Sequence, residues 1–177
     1  MKRGLALAGL TFLASPGLTG CAQDQVAPAS ASHAPRYPAG KLYVPDANAA
    51  SDLAAASVRA AALDRPLLVI FGANWCHDSR ALAETLTLGE TGAYVAEHFE
   101  TLFIDIGTPQ IGRGRNLDLV EKLGVEELEG TPALVALSPD GKLLNGDTAR
   151  SWRNAASRSE KEIRATLEAL LRAEETA

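Results

Sequence analysis

The residues Pro66-Leu67-Leu68-Val69-Ile70-Phe71 form an unbroken apolar run. A strand with one wet face alternates polar and apolar side chains. A continuous run of this length therefore predicts a strand buried on both faces. On its N-terminal side, Ala49 to Leu63 is alanine-rich, with Leu53, Val58 and Leu63 near helical spacing. Asp64-Arg65-Pro66 then breaks the predicted helix. On the other side, Gly72-Ala73-Asn74 predicts a loop. A helical pattern begins near Cys76, with Leu82 and Leu86 stacked one turn apart.

The rest of the chain continues the alternation. Gly89 and Gly92 interrupt the second helix, which is expected to resume from Ala93 to His98. Thr101 to Ile106 predicts a strand, and Gly107 to Arg115 a Gly/Arg-rich loop. Asn116 is placed to cap a short helix through Leu123, closed by Gly124. Ala133 to Leu137, the turn Pro139-Asp140-Gly141 and Lys142 to Leu144 predict a hairpin. Ser159-Glu160-Lys161-Glu162 reads as a capping box, opening a last helix with Ile163, Leu167, Leu170 and Leu171 on its core face. No internal repeat is visible. This order implies an α/β domain with a late antiparallel hairpin, compatible with several folds.

A chain of 177 residues favours one domain plus tails. The formal net charge is −5, and removal of residues 1–20, which takes away Lys2 and Arg3 and no acid, lowers it to −7. An acidic chain is poorly suited to a phosphate backbone, so no nucleic-acid partner is expected.

The N-terminus reads as an address. Lys2 and Arg3 precede an apolar run from Gly4 to Leu18, too short for a comfortable membrane span. It ends in Leu18-Thr19-Gly20-Cys21, which resembles the lipobox of bacterial lipoproteins. The resemblance implies a signal peptide at 1–20 and acylation of Cys21 as the first mature residue. More than one acyl chain gives a stable anchor. An ordinary secretory signal with an incidental cysteine is the alternative. Ala22, where aspartate would signal inner-membrane retention, favours the outer membrane in an envelope that has one. Residues 21–46 are expected to form a flexible Pro/Ala/Ser-rich tether with Pro28, Pro35, Pro38 and Pro45. His33 lies in it with no specific role. The folded domain is placed at 47–177.

Two motifs narrow the fold. One is Val69-Ile70-Phe71-Gly72-Ala73-Asn74-Trp75-Cys76, running from strand through loop to Trp-Cys at a helix start. The other is Gly130-Thr131-Pro132 leading into a strand. Together they resemble thioredoxin, with its Trp-Cys-x-x-Cys active site and its cis proline facing the thiol. The resemblance implies a thioredoxin-like fold, a central mixed β-sheet flanked by helices, from about Ala49 onwards. It departs in three places. Ser79 stands where the family has its second cysteine, giving a CxxS site, Cys76-His77-Asp78-Ser79. Ile70 stands where many thioredoxins bury an aspartate. The run from Gly124 to Pro132 is longer than usual.

A cysteine in the first turn of a helix meets unpaired N–H groups and a partial positive charge, which stabilise the thiolate. His77 and Arg80 add positive charge, the Ser79 hydroxyl is a candidate donor to the thiolate, and Asp78 opposes. A dithiol reductase needs a second thiol to resolve the mixed disulfide. The only other cysteine is Cys21. A Cys21–Cys76 disulfide is the plain alternative; if Cys21 is acylated, Cys76 has no resolving partner in the chain. The expected chemistry is then monothiol exchange, with Cys76 and Ser79 at the centre and Trp75, His77, Asp78, Arg80, Thr131 and Pro132 around them. Partners would be envelope proteins or small thiols, with a membrane engaged through Cys21 on the periplasmic side. The alternative is a non-catalytic binding or adaptor module.

Other residues have bland readings beside sharp ones. Cys76, His77 and Asp78 are adjacent and point in different directions on a helix, so no metal site is expected. No nucleotide-binding glycine motif is present, and no cofactor is expected. His98 reads as a helix-end residue. Arg113 and Arg115 read as a solvated loop or as an anion site. Trp152 and Arg153 read as packing against the last helix or as a pocket wall near the active site.

Overall fold

The computed structural model describes residues 42–45, 47–126, 128 and 130–174. Cys21, His33 and the signal and tether up to residue 41 lie outside the described residues, as does Asp46. The elements in chain order are α1 (Ala49–Leu63), β1 (Leu67–Gly72), α2 (His77–Thr87), α3 (Gly89–His98), β2 (Glu100–Asp105), β3 (Gly107–Thr108), β4 (Arg113–Gly114), α4 (Leu117–Lys122), β5 (Ala133–Leu137) and α5 (Glu160–Glu174). Short 3-10 turns lie at Pro109–Ile111 and Ala155–Ser157.

The apolar run becomes the middle strand. β1 pairs in parallel with β2 and antiparallel with β5, giving the order β2-β1-β5. All six residues of β1 are buried. Alternate side chains serve two cores, as the two-residue period of a strand requires. Leu68 and Ile70 pack with Leu82, Leu86, Val95, Ile163 and Leu167 from α2, α3 and α5. Leu67, Val69 and Phe71 pack with Ala56 and Ala60 of α1 and Leu119 and Val120 of α4. The sheet is mixed and covered by helices on both faces.

The helix signals fall where the sequence places them, with two shifts. At α5, the Glu162 N–H donates to Ser159 Oγ (3.3 Å) and the Ser159 N–H to Glu162 Oε2 (2.8 Å), so the capping box is made. α3 starts at Gly89 instead of Ala93, and only the extended Leu88 separates it from α2. Gly92 is a packing residue there. A Cβ on it would lie 2.5 Å from the Thr87 carbonyl carbon, so its absence lets α3 turn tightly against the end of α2. At α4, Asn116 makes no side-chain cap bond. It sits in the left-handed region (φ 56°), and its Nδ2 donates to Asp105 O at 2.8 Å. The asparagine ties α4 to the end of β2.

The late hairpin is reduced. Only a single bridge, Leu137 to Leu143, forms where Lys142 to Leu144 was expected to pair as a strand. Beyond it the Asn145 side chain takes over as the partner of β5. The Ala136 N–H donates to Asn145 Oδ1 (2.8 Å) and Asn145 Nδ2 donates to Leu134 O (2.8 Å). The Leu134 N–H then donates to Ala149 O (3.0 Å). The outer edge of β5 is thus covered by a loop instead of a strand, which removes the exposed edge.

Asn145 is buried, and its removal would leave two buried main-chain groups of β5 unpaired. Asn145→Ala is expected to destabilise the fold by about 2–4 kcal/mol, read as a lowered midpoint in urea unfolding. A loss below about 0.5 kcal/mol would mean that water replaces the side chain.

Candidate active site

The loop after β1 delivers Cys76 to the N-cap position of α2, with extended backbone (φ −80°, ψ 126°). Its N–H donates to Ala73 O (3.1 Å), and its carbonyl accepts from the Arg80 N–H (3.1 Å), starting the helix. Its thiol donates to Thr131 O at 3.6 Å across 55 residues of sequence. The Thr131–Pro132 peptide is cis. Cys76 is 8% exposed and Trp75 is 53% exposed. The Trp75 Nε1–H donates to Gly107 O (3.0 Å), which ties the indole to the β3–β4 hairpin. That hairpin is held in turn by buried Asp105. Its Oδ1 accepts from the Gly107 N–H (2.8 Å) and lies 3.2 Å from the Arg115 guanidinium.

The other expected site residues divide. His77 and Arg80 are exposed on the first turn of α2. Asp78 is committed elsewhere, its Oδ1 accepting from the Ala156 N–H (2.9 Å). Ser79 is fully buried, and its hydroxyl makes no hydrogen bond to Cys76 or to any other protein group. The expected Ser79–thiolate bond is therefore not made with the thiol in its reduced position. The Thr131 hydroxyl is also buried without a protein partner. Two unpartnered hydroxyls thus belong to the residue three positions beyond Cys76 and to the residue whose carbonyl meets its thiol.

Outside this group, Arg113 is exposed on β4, and His98 stacks on Tyr94 at 4.3 Å. Trp152 is buried in the core beside α5, with the Arg158 guanidinium 4.4 Å from its ring centre. It is not a pocket wall. Arg153, next to it, is exposed and packs over Gly130. Among the described residues, no group of three or more His, Cys, Asp or Glu side chains is placed to hold a metal.

One contributor was not legible as such. Tyr43 falls within the span expected to be a flexible tether, yet it is 1% exposed. Its phenol donates to Ser79 O (3.1 Å) in the first turn of α2, and its ring meets Phe103 edge-on at 5.7 Å. Its main chain is clamped by Asn74, whose Nδ2 donates to Tyr43 O (2.5 Å). Gly72 makes room for the ring: a Cβ there would lie 2.6 Å from Tyr43 Cζ. Leu42 also packs on the core, so residues expected in the tether belong to the packed domain from at least Leu42. The signal was the triplet Leu42-Tyr43-Val44, hidden by the alanine and proline around it.

The site thus sets a helix N-terminal cysteine, at the end of a central strand, against the carbonyl of a cis Thr-Pro. Residues 48–139 match the family model described as thioredoxin-like. The chain belongs to the thioredoxin-like family. Among solved structures it is similar to a disulphide isomerase from Xylella fastidiosa Temecula1, with 31% identity and a TM-score of 0.62, over 71% of this chain and 95% of that one. Comparison with curated proteins gives no match. Within this thioredoxin-like domain, Tyr43 occupies the space beneath the active-site helix, and the resemblance position of the buried aspartate is Ile70, in the core.

Burial, first, pushes the Tyr43 phenol far above its ordinary value, and the neighbouring Cys76 adds to the shift. The phenol therefore stays a neutral donor while an unfolded tyrosine ionises near pH 10. Stability carried by this proton is complete below that value. It falls above it, because the unfolded chain releases a proton that the folded chain keeps. Urea unfolding between pH 9 and 11 is expected to show this loss, up to about 1.4 kcal/mol per pH unit. Tyr43→Phe should remove that part of the slope and cost about 1 kcal/mol at neutral pH. Equal slopes in both proteins would contradict the assignment.

Proposed function

We propose that this chain is a lipid-anchored thioredoxin-like lipoprotein of the bacterial cell envelope that works by monothiol chemistry at Cys76. On this reading residues 1–20 are the signal, Cys21 carries the lipid, and the domain faces the periplasm, with the outer membrane favoured. Thiol–disulfide exchange is supported by the fold and by similarity to a protein described as a disulphide isomerase. The observation that carries the reading is local. Cys76 sits at a helix N-cap against Thr131 O, while the position one turn on is a serine.

The step follows from that pair. The Cys76 thiolate attacks one sulfur of a client disulfide. A new Sγ–S bond forms, the client S–S bond breaks, and the departing thiolate keeps the electron pair. Ser79 has no thiol with which to attack the resulting mixed disulfide. Release then requires a thiol from solution, an envelope protein or a small molecule, which re-forms the Cys76 thiol. Ser79 and Thr131, the positions that carry the serine replacement and the carbonyl contact, each hold a buried hydroxyl with no hydrogen-bond partner. Trp75 and the backbone of Thr131 offer an exposed ring and a carbonyl to an extended client chain.

A second reading rests on the near-complete cover of Cys76. In it the domain binds clients without redox turnover, as an adaptor. The two are separated by trapping clients from envelope extracts with Cys76→Ser beside the native chain. Capture that disappears with the thiol, and is released by reductant, supports exchange. Capture that persists in Cys76→Ser supports the adaptor.

Reduction of insulin disulfides with dithiothreitol tests the monothiol character. Stimulation is expected to be at least about tenfold weaker than for a dithiol thioredoxin, while a 1:1 adduct at Cys76 appears in the intact mass. Turnover equal to a dithiol enzyme would overturn it. Ser79→Cys is expected to raise turnover by restoring a resolving thiol.

A further inference from the structure

We propose that Tyr43 is a positioning residue for exchange at Cys76, holding the turn that presents the thiol by both of its flanks. This rests on the exchange reading above and adds to it a control exerted by the segment before α1.

The first flank is held through the main chain. The Tyr43 N–H donates to Asn74 Oδ1 (3.4 Å), and Asn74 Nδ2 donates back to Tyr43 O (2.5 Å). These two bonds pin Tyr43 two residues before Cys76. The second flank is held by the phenol, which donates to Ser79 O (3.1 Å), three residues after Cys76. One residue thus ties both arms of the turn. Its ring has little freedom to leave: it is 1% exposed, takes the space of a Cβ at Gly72 and meets Phe103 edge-on. Leu42 packs on the same core, and the Ala47 N–H donates to Val44 O (3.2 Å), turning the segment towards α1. The segment is therefore fixed on its own account and acts as a support for the turn above it.

The phenol also reaches Cys76 through the backbone. The Ser79 C=O and the Arg80 N–H belong to one planar peptide unit. That Arg80 N–H donates to Cys76 O at 3.1 Å, the bond that closes the first turn of α2. The Tyr43 hydroxyl, the 79–80 peptide and the Cys76 carbonyl thus form one hydrogen-bonded chain, whose members polarise and strengthen one another. Cys76 in turn helps to hold the proton on the phenol, as a nearby group does. A closed first turn keeps its unpaired N–H groups directed at the thiolate. It also fixes the line of attack. The new Sγ–S bond forms opposite the client S–S bond that breaks, and the departing thiolate keeps the electron pair. A sulfur held on that line reacts faster than one on a loose turn.

The test uses the full chain in detergent. The rate of the Cys76 adduct with hydroxyethyl disulfide is followed by peptide mass, and the Arg80 amide proton by NMR. Tyr43→Phe keeps the ring and loses the hydroxyl. It is expected to slow the adduct about fivefold, the scale of one hydrogen bond, and to move the Arg80 amide proton upfield as its bond to Cys76 O weakens. Ala60→Gly, in α1 of the other helical layer, is the control for stability alone. It is expected to lower the urea midpoint while leaving the rate within about twofold of native and the Arg80 proton in place. Asn74→Ala releases the main chain of Tyr43 and is expected to slow the adduct too, which keeps the test open should Tyr43→Phe fail to fold. A native or faster rate in these two site variants overturns the inference and leaves exchange standing. So does an Arg80 proton that does not move in Tyr43→Phe, or an equal slowing in Ala60→Gly. No adduct in the native chain overturns exchange and this inference together.

Discussion

Strand β1 is closed in from every side, between β2 and β5 in the sheet and between two helical layers above and below. Its burial is the contact on which the two cores converge, since its side chains alternate between them. The strand must end before the chain can reach solvent, and it ends at Gly72, where the ring of Tyr43 takes the room of a missing side chain. The next four residues turn the chain into α2. The position of Cys76 is thus set by the end of the most buried strand, which gives the thiol a rigid support.

The site is assembled from three separate stretches of chain around that support. Tyr43 and Asn74 fix the loop from below. Asp105 fixes the β3–β4 hairpin that holds Trp75. The segment before β5 brings Thr131 to the sulfur. Asn145 supports it, because it completes the edge of the strand that follows. Most of these supports are polar side chains bonded to main-chain groups. Such bonds contribute modestly to stability, but their buried partners are costly to leave unpaired, so they specify geometry more than they add strength.

Burial and chemistry pull in opposite directions at the thiol. Cover from Thr131 keeps water from most of the sulfur, and the helix start places unpaired N–H groups near it. A second cysteine would turn this arrangement into a cycle. A serine in its place leaves a hydroxyl that can donate a bond and cannot carry the exchange forward. On the proposed monothiol reading, the same position suits the scaffold to holding a covalent partner.

The sequence by itself determined the parts whose signal is local. The apolar run of β1, the alanine-rich helix Ala49–Leu63, the Ser159–Glu162 cap and the Trp-Cys and Thr-Pro motifs are all short-range patterns, and they sufficed for the fold class and for Cys76 as the reactive candidate. Only the tertiary structure decided that Tyr43 is core and not tether, that Asn145 replaces a strand, that Asn116 bonds to Asp105 instead of capping α4, and that Trp152 is buried while Arg153 is not. Each of these depends on a partner distant in the chain. Hydrophobic period reports which face of an element is buried, but it carries no record of which distant carbonyl, ring or glycine a side chain will meet.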